Sequence, residues 1–503
     1  MGIYKSFENA KNGTPIPVFQ SGRTMESRYN PEHDAETLLN SITEPDSFFL
    51  VLGIGSGIFI NLLQKKYPEA KIIAVELFSD DIDFLQQSEI LQQLKNNQAV
   101  IFSDLESLEN VLTQNYVPAK YGNLKIIEQR AWVNENAQYI EQINAKLQKT
   151  LGIISADYSV QAHFGKIWTS NILNNAKLAQ DYKANASDYF NKDDLQKTAV
   201  VVAAGPSLDK TISLLKKQEH VTQNEYFIIS TDTAAQALLK QDIVPDVIIS
   251  IDGQNVSYNH FMLNDNLQNK TLFAFDLCAN TSAARHVISN GGKVLFFCSG
   301  HPLASAINSS CGKTFPFLFS GAGTVTITAV DFAVKAGFQK IKILGADFSY
   351  SDGKAYTAGT YLDTLYNQTS SRITDSEQTF SRLMFRTELT KLSDKAFTTQ
   401  ILEAYRTSLE KYLSENNISF SKKDDIYSLD CPSLSSNQTL LLKAPETFSI
   451  KNFFETLKNS TLEDYELLLL PYIAWLRNNS KNTNIPYNDL VKLALDTIVS
   501  YNI

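Results

Sequence analysis

The sequence predicts an α/β chain of several domains, built on parallel sheets. Two observations carry that reading. Short unbroken runs of Val, Ile, Leu and Phe, the pattern of strands buried on both faces, alternate with stretches of helical spacing. In two places such a run enters a glycine-bearing turn and then a helix, as nucleotide-type βα units do. At 503 residues the chain is too long for one core. The division expected is a Rossmann-like domain over residues 1–185, a second over 186–440, and a helical C-terminal domain over 441–503.

Composition narrows the function classes. A content of 43% hydrophobic and 20% charged residues is that of a soluble globular protein. The net charge of −9, with no basic run, argues against a general nucleic-acid binder. An acidic protein still binds an anion where the positive field is local, as at a helix N-terminus. Four cysteines, Cys278, Cys298, Cys311 and Cys431, form no CxxC and no even framework, and read as buried thiols of a reducing compartment. The opening "MGIYKSFENAKNG" has no apolar core, and no apolar stretch reaches membrane-spanning length, so a cytoplasmic protein without a membrane partner is expected.

In the first domain, "FFLVLGIGSGIFINLLQKKYPEAKIIAVELFSDD" gives a strand over 48–52, then Gly53, Gly55 and Gly57, a helix, and a strand ending at Glu76. Glycines admit a ligand to the backbone, and an acid about 20 residues on can take ribose hydroxyls. The pattern fits an S-adenosylmethionine methyltransferase or a scaffold whose glycines serve only the turn. The polar stretch 181–197 marks the domain boundary.

The second domain alternates more completely. A strand over 199–204 precedes a helix with Leu208, Ile212 and Leu215 on its apolar face. Strands follow at "YFIIS" (226–230), "PDVIIS", "TLFAF" ending at Asp276, "KVLFFCS" and "IKILG", with a Gly-initiated helix in "SGAGTVTITAVDFAVKAG". Strand–helix alternation implies a parallel sheet with right-handed crossovers, and ligands bind outside the strand C-termini. Those ends carry Gly205-Pro206-Ser207, Thr231-Asp232, Asp252-Gly253, Asp276 and Asp347. The tail beyond 441 reads as short amphipathic helices that serve as a packing cap or partner surface.

The stretch "AVVVAAGPSLDK" (199–210) lacks the Lys of a P-loop and has a single glycine. Pro206 ends the strand and suits a first helical turn. The N–H groups of Ser207 and Leu208 are then expected to face an anion, and Gly205 to admit a ribose or phosphate. A capped turn without ligand is the equal alternative.

Taken together, "AAGPSLDK", "STDTAAQALLKQDIVPDVIISIDGQ" and "SGAGTVTITAVDFAVKAGFQKIKILGADFSYSDGKAYTAGT" resemble the Maf (motility accessory factor) flagellin glycosyltransferases, whose central domain is shared with bacterial sialyltransferases. The N-terminal "GRTMESRYNPEHDAE" and "VLGIGSG" are similar to the Maf N-terminal domain. The resemblance spans most of residues 20–435. It implies transfer of a nonulosonic acid, pseudaminic or legionaminic in type, from its CMP donor to flagellin Ser or Thr, with no cofactor and no metal. Carried over by position, it assigns the nucleotide to Gly205, Pro206, Ser207, Thr231, Asp232, Asp252, Ser320 and Gly321, and the leaving phosphate to Tyr350 and Tyr356, six residues apart.

The chemistry agrees, because breaking a glycosyl–phosphate bond leaves charge on the phosphate, and a Tyr O–H donates to it without adding charge. One departure stands out. The sialyltransferases place a histidine base after the tyrosines, and this chain has none after His301. Asp347 and Asp352 are the candidates for that proton. Arg372, Arg382 and Arg386, within 351–392, fit either a lid that pairs with the donor's anionic groups or a solvated surface. The same "GPSL" domain also resembles archaeal 6-hydroxymethylpterin diphosphokinases, which would make Asp232, Asp252 and Asp276 ligands of a Mg-ATP site. A third reading is a non-catalytic flagellin-binding factor.

Overall fold

The computed structural model describes residues 2–42, 47–182, 193–216, 225–262, 270–312, 315–321, 323–432, 449–459, 462–480 and 485–501. Internal contacts group the chain into two compact units, Met1–Gly165 with Leu469–Asp496, and Lys166–Leu468 with Thr497–Ile503. The boundaries expected at 185 and 440, and most of the polar stretch 181–197, fall outside the described residues.

The first unit opens with the hairpin β1 (Tyr4–Asn9) and β2 (Pro15–Phe19). A parallel sheet follows, formed by β3 (Phe48–Leu52), β4 (Lys71–Glu76), β5 (Val100–Asp104) and β6 (Leu124–Glu128), in the spatial order β5-β4-β3-β6. All five residues of β3 are buried, as a run of Phe, Leu and Val covered on both faces must be. The chain steps outward from β3 to β5 and then returns to the other flank of β3. The strand order therefore reverses between β3 and β6, where α/β sheets open their ligand crevice.

The second unit repeats this logic on a larger scale. Its eight-stranded sheet has the order β11-β10-β9-β8-β7-β12-β17-β16. The parallel part comprises β7 (Thr198–Val202), β8 (Tyr226–Thr231), β9 (Val247–Ser250), β10 (Leu272–Asp276), β11 (Lys293–Phe297) and β12 (Lys340–Leu344). A separate three-stranded sheet holds β13 (Tyr350–Ser351), β14 (Thr390–Ser393) and β15 (Ala396–Thr398). The hairpin β16 (Ser419–Lys423) and β17 (Ile426–Asp430) extends the main sheet antiparallel to β12. The strand order reverses between β7 and β12.

The α/β fold with two parallel sheets and a helical C-terminal region is thus the one observed. C-terminal helices run over Ile450–Asn459, Leu462–Asn479 and Tyr487–Ser500, the second with Pro471 inside it. A 43-residue helix, Ile140–Tyr182, was not foreseen. The helix expected after β7 is shorter than its pattern suggests: α-helical over Leu208–Thr211, then a 3-10 turn over Ile212–Leu215. Cys278, Cys298 and Cys311 are buried free thiols, whereas Cys431 is only half-buried. Among the described residues no helix is long and apolar enough to cross a membrane.

Candidate active site at the strand ends of the second unit

Two cavities lie where β7 and β12 end. A crevice of about 280 Å³ is lined by Ala203–Gly205 after β7, Thr231 and Thr233 around the end of β8, Gly345–Tyr350 after β12, and Tyr356. Gly323–Thr326 at the start of the helix Val325–Ala336 and Leu402 and Tyr405 of the helix Gln400–Glu415 complete it. A larger cavity of about 830 Å³ is lined by Pro206, Ser207, Asp209, Asp352 and Lys354 among others, and shares the wall Asp347–Phe348–Ser349 with the crevice. Phe348 in that wall has φ +53, a left-handed conformation that is strained for a bulky residue. Its carbonyl is held by the Thr398 hydroxyl at 3.0 Å.

The glycine-proline loop does not present free amides. Ser207 N–H donates to Asp347 Oδ2 at 2.8 Å, and Leu208 N–H donates to the Gly205 carbonyl at 3.0 Å. Gly205 is required by packing rather than by a ligand. A Cβ there would lie 2.4 Å from the Gly345 carbonyl oxygen and closer still to Asp347 Oδ2. Gly205 N–H closes the joint by donating to that carbonyl at 2.8 Å. The junction is built to hold the Asp347 carboxylate, because the loops after β7 and β12 meet across the switch point. Burial pushes the Asp347 carboxyl up, opposed by the Ser207 bond. The Ser207 hydroxyl is buried beside that carboxylate and works with the amide against the rise.

The amides left over belong to another element. Thr324 caps the helix Val325–Ala336 without a side-chain bond to its first turn. The positive end of that helix therefore meets the crevice with N–H groups unsatisfied by a cap. Ser320 and Gly321 stand just before it. The Ser320 carbonyl accepts from Gly323 and Thr324, and Gly321, at φ +54, makes the turn. Neither is among the residues lining the two cavities, and Gly323–Thr326 take that place.

Tyr350 and Tyr356 both line the crevice, joined by Tyr405. Burial pushes the Tyr356 hydroxyl up to about 12, with Tyr350, Tyr361, Tyr366 and Tyr405 adding to it. Burial raises Tyr350 too, opposed by the Arg386 charge, and burial raises Tyr405. All three are neutral donors at physiological pH. Sequence reasoning missed Tyr405, whose one signal is an aromatic one turn into a helix capped by Thr399. Also missed was Asp209, inside the quoted "GPSLD". Its carboxylate accepts from Lys354 Nζ (2.7 Å), Thr357 Oγ1 (2.5 Å) and Ala358 N–H (3.0 Å). Burial raises the Asp209 carboxyl, but those bonds outweigh it and hold the group below the usual range.

Asp232, Asp252 and Asp276 line neither cavity. Asp232 is buried and accepts from Ser250 Oγ (2.6 Å) and Thr233 N–H (2.7 Å), so it ties β8 to β9. Asp252 accepts from Gln254 N–H at 2.9 Å, and burial raises it, with Asp232 adding and His260 opposing. Asp276 is buried and accepts from Cys278 N–H at 2.6 Å. Among the described residues these three do not form a group able to hold a metal ion, against the arrangement a Mg-ATP reading requires of them. Asp352 is half-exposed and lies 3.9 Å from Lys210 and 4.0 Å from Lys395.

At the switch point of the first unit the crevice is filled. Glu76 Oε1 accepts from Ile54 N–H (2.7 Å) and the Tyr4 hydroxyl (3.0 Å), and Oε2 accepts from Trp132 Nε1 (2.6 Å). A Cβ on Gly53 would meet Met25 and Trp132 at 2.8 Å. Ser56 N–H donates to Glu26 Oε1 at 2.6 Å, so a carboxylate of the chain sits where a ligand's anion would. No oxygen of Glu76 is left for a ribose.

Known proteins extend the picture. A model of the 6-hydroxymethylpterin diphosphokinase MptE-like family matches residues 170–353. An uncharacterised protein of Treponema pallidum (strain Nichols) is 27% identical over 295 residues, 57% of this chain and 95% of that protein. A second protein of the same organism, also uncharacterised, is 32% identical over 152 residues, 30% of this chain and 69% of that protein. The chain belongs to one family with this second Treponema pallidum protein. In three dimensions it is similar to the Maf glycosyltransferase of Magnetospirillum magneticum AMB-1, with a TM-score of 0.52 at 13% identity over the whole of this chain and 87% of that one. At that identity the likeness establishes the fold, which is Maf-like, and leaves the chemistry to the residues.

Proposed function

We propose that the second unit is a glycosyltransferase that moves an acidic nonulosonic sugar from a CMP donor to a Ser or Thr hydroxyl of a flagellin-type acceptor, without a cofactor. The observation that carries this reading is the crevice at the β7/β12 switch point. It is lined by a helix start without a side-chain cap and by three tyrosines that stay neutral, around space for a single phosphate. A departing CMP gains charge on its phosphate as the glycosidic bond breaks, and donors aimed at that phosphate stabilise the transition state without a cation. The acceptor hydroxyl forms the new bond to the anomeric carbon, and its proton passes to a carboxylate. Asp347, raised by burial and standing in the wall shared by both cavities, suits that role better than Asp352, which is half-exposed and lies near two lysines.

The MptE-like match favours a second reading, transfer of a diphosphate from Mg-ATP. Melting curves separate the two. CMP is expected to raise the melting temperature by mass action, with ATP-Mg and S-adenosylmethionine doing little. Transfer of sugar to purified flagellin is expected to survive excess EDTA. Stabilisation by ATP-Mg alone, or abolition by EDTA with rescue by Mg, overturns the glycosyl-transfer reading.

A further inference from the structure

Tyr356 lies on the loop after β13, which makes few ladder bonds and turns through Asp352 at φ +52 and Gly353 at φ +75. It nonetheless packs against the buried cluster to which Val202, Ala204 and Leu208 belong. Asp209 follows Leu208 directly and reaches the loop on both sides of the tyrosine. One carboxylate oxygen accepts from Lys354 Nζ, two residues before Tyr356, and the other from Thr357 Oγ1 and Ala358 N–H, the two residues after it. The Thr357 N–H then donates to the Ala204 carbonyl at 2.8 Å, so the same junction holds the loop by its backbone. The Lys354 pair is largely exposed and on its own contributes little. The bonds from Thr357 and Ala358 to a charged acceptor are the stronger ones.

We propose that Asp209 is the positioning residue for Tyr356: it fixes the loop that aims the phenol into the crevice and does not itself touch the reacting atoms. The same short helix, Leu208–Thr211, thus contributes Leu208 to the cluster that Tyr356 packs against and Asp209 to the clamp on its loop. This inference rests on the phosphate role given to Tyr356 above, and its test separates the two.

Single-turnover transfer and hydrogen exchange are measured for Asp209→Ala, Asp209→Asn, Tyr356→Phe and the double variant Asp209→Ala/Tyr356→Phe. A displaced catalytic group costs up to about a hundredfold, so Asp209→Ala is expected to lower kcat at least tenfold, roughly, while CMP affinity holds within about twofold. Asp209→Asn keeps an oxygen for Thr357 and Ala358, so it is expected to recover most of that rate. In the Tyr356→Phe background Asp209→Ala is expected to add no further loss, because coupled residues are not additive. Exchange over residues 352–358 is expected to quicken in Asp209→Ala. Full additivity with Tyr356→Phe, or unchanged exchange over that loop, overturns the clamp. Wild-type transfer by Tyr356→Phe removes the tyrosine's catalytic role instead, and the exchange measurement still reads the clamp.

Discussion

The two parallel sheets reverse their strand order in the same way and join at the same kind of glycine-bearing loop, yet one switch point is closed and the other open. Even the loop chemistry repeats. In the first unit Ser56 N–H donates to Glu26, and in the second Ser207 N–H donates to Asp347. Each loop binds a carboxylate of its own chain where a ligand's anion would otherwise sit. The difference lies in what else enters. Trp132, Met25 and Glu76 fill the first crevice, whereas small residues and three tyrosine hydroxyls border about 280 Å³ in the second. A glycine loop after a strand therefore identifies a fold, and the side chains that cross the switch point decide between scaffold and site.

The largest expected effect tests the closed side. Trp132 is fully buried and its Nε1 holds Glu76 Oε2. Trp132→Ala leaves a cavity and an unpaired carboxyl oxygen, and is expected to destabilise the first unit by about 3–5 kcal/mol or more. Denaturant unfolding reads that loss, while CMP affinity of the surviving folded protein is expected to stay unchanged. A fall in CMP affinity of comparable size would break the comparison, since the closed crevice would then serve the nucleotide.

Next comes the open side. Tyr350→Phe and Tyr356→Phe keep the ring and remove one donor each. Loss of a preorganised donor to developing charge costs on the order of a hundredfold in kcat, so each variant is expected to approach that loss with little change in donor KM. Wild-type rates in both under single-turnover conditions would make these tyrosines ordinary packing and leave the second crevice without a catalytic claim.

Much of this contrast was legible in the sequence. Unbroken apolar runs located the strands to within a residue or two: β3 at Phe48–Leu52 and β4 ending at Glu76 stand where expected. Local pattern encodes burial on two faces, so it locates strands. It does not encode which distant side chain will fill a strand-end crevice. Nothing near Gly53 announces Trp132, and nothing near Gly205 announces Asp347, so the amides of Ser207 and Leu208 were expected free and are not. Ser320 and Gly321 were placed by position in a motif, and the helix start brings in Gly323–Thr326 one turn later. The helix Ile140–Tyr182 escaped notice because Thr150, Gly165, Thr169 and Asn175 stand on its buried face and break the apolar spacing.

The plug itself has a pH signature. Burial raises the Glu26 and Glu76 carboxyls from about 4.5 to about 7, opposed by the bonds from Ser56 to Glu26 and from Ile54 and Trp132 to Glu76. Both carboxyls thus take up a proton on folding between the unfolded value and about pH 7. A raised folded value means the stabilisation is complete below the unfolded value and is lost as pH rises through the folded one. Between those limits the first unit is expected to lose about 1.4 kcal/mol per pH unit for each carboxylate. Hydrogen exchange of β3 and β4 from pH 5 to 8 checks this. Glu26→Gln keeps an oxygen for Ser56 N–H and is expected to flatten the slope by about half. A slope untouched by that change would assign the titration elsewhere.

The smallest effect gives the finest comparison, because each loop carries one serine, Ser56 or Ser207, whose buried hydroxyl stands by the carboxylate its amide holds without a well-formed hydrogen bond. Alanine at either position preserves the backbone N–H that holds the carboxylate and removes only the hydroxyl. A buried hydroxyl without a well-formed hydrogen bond adds little to folding, so both variants are expected to stay within about 1 kcal/mol of wild-type stability. Their effects on CMP are expected to differ. The Ser56 hydroxyl faces a crevice already filled by the chain, and Ser56→Ala is expected to leave CMP affinity as it was. Ser207 borders the larger cavity, and its buried hydroxyl helps to set the Asp347 carboxylate in the wall which that cavity shares with the crevice. A single hydrogen bond is worth about 0.5–1.5 kcal/mol, so Ser207→Ala is expected to weaken CMP by roughly two- to tenfold in a titration. Equal CMP affinities for the two variants would show that both hydroxyls are packing alone, and the nucleotide would then owe its binding to the helix start and the tyrosines.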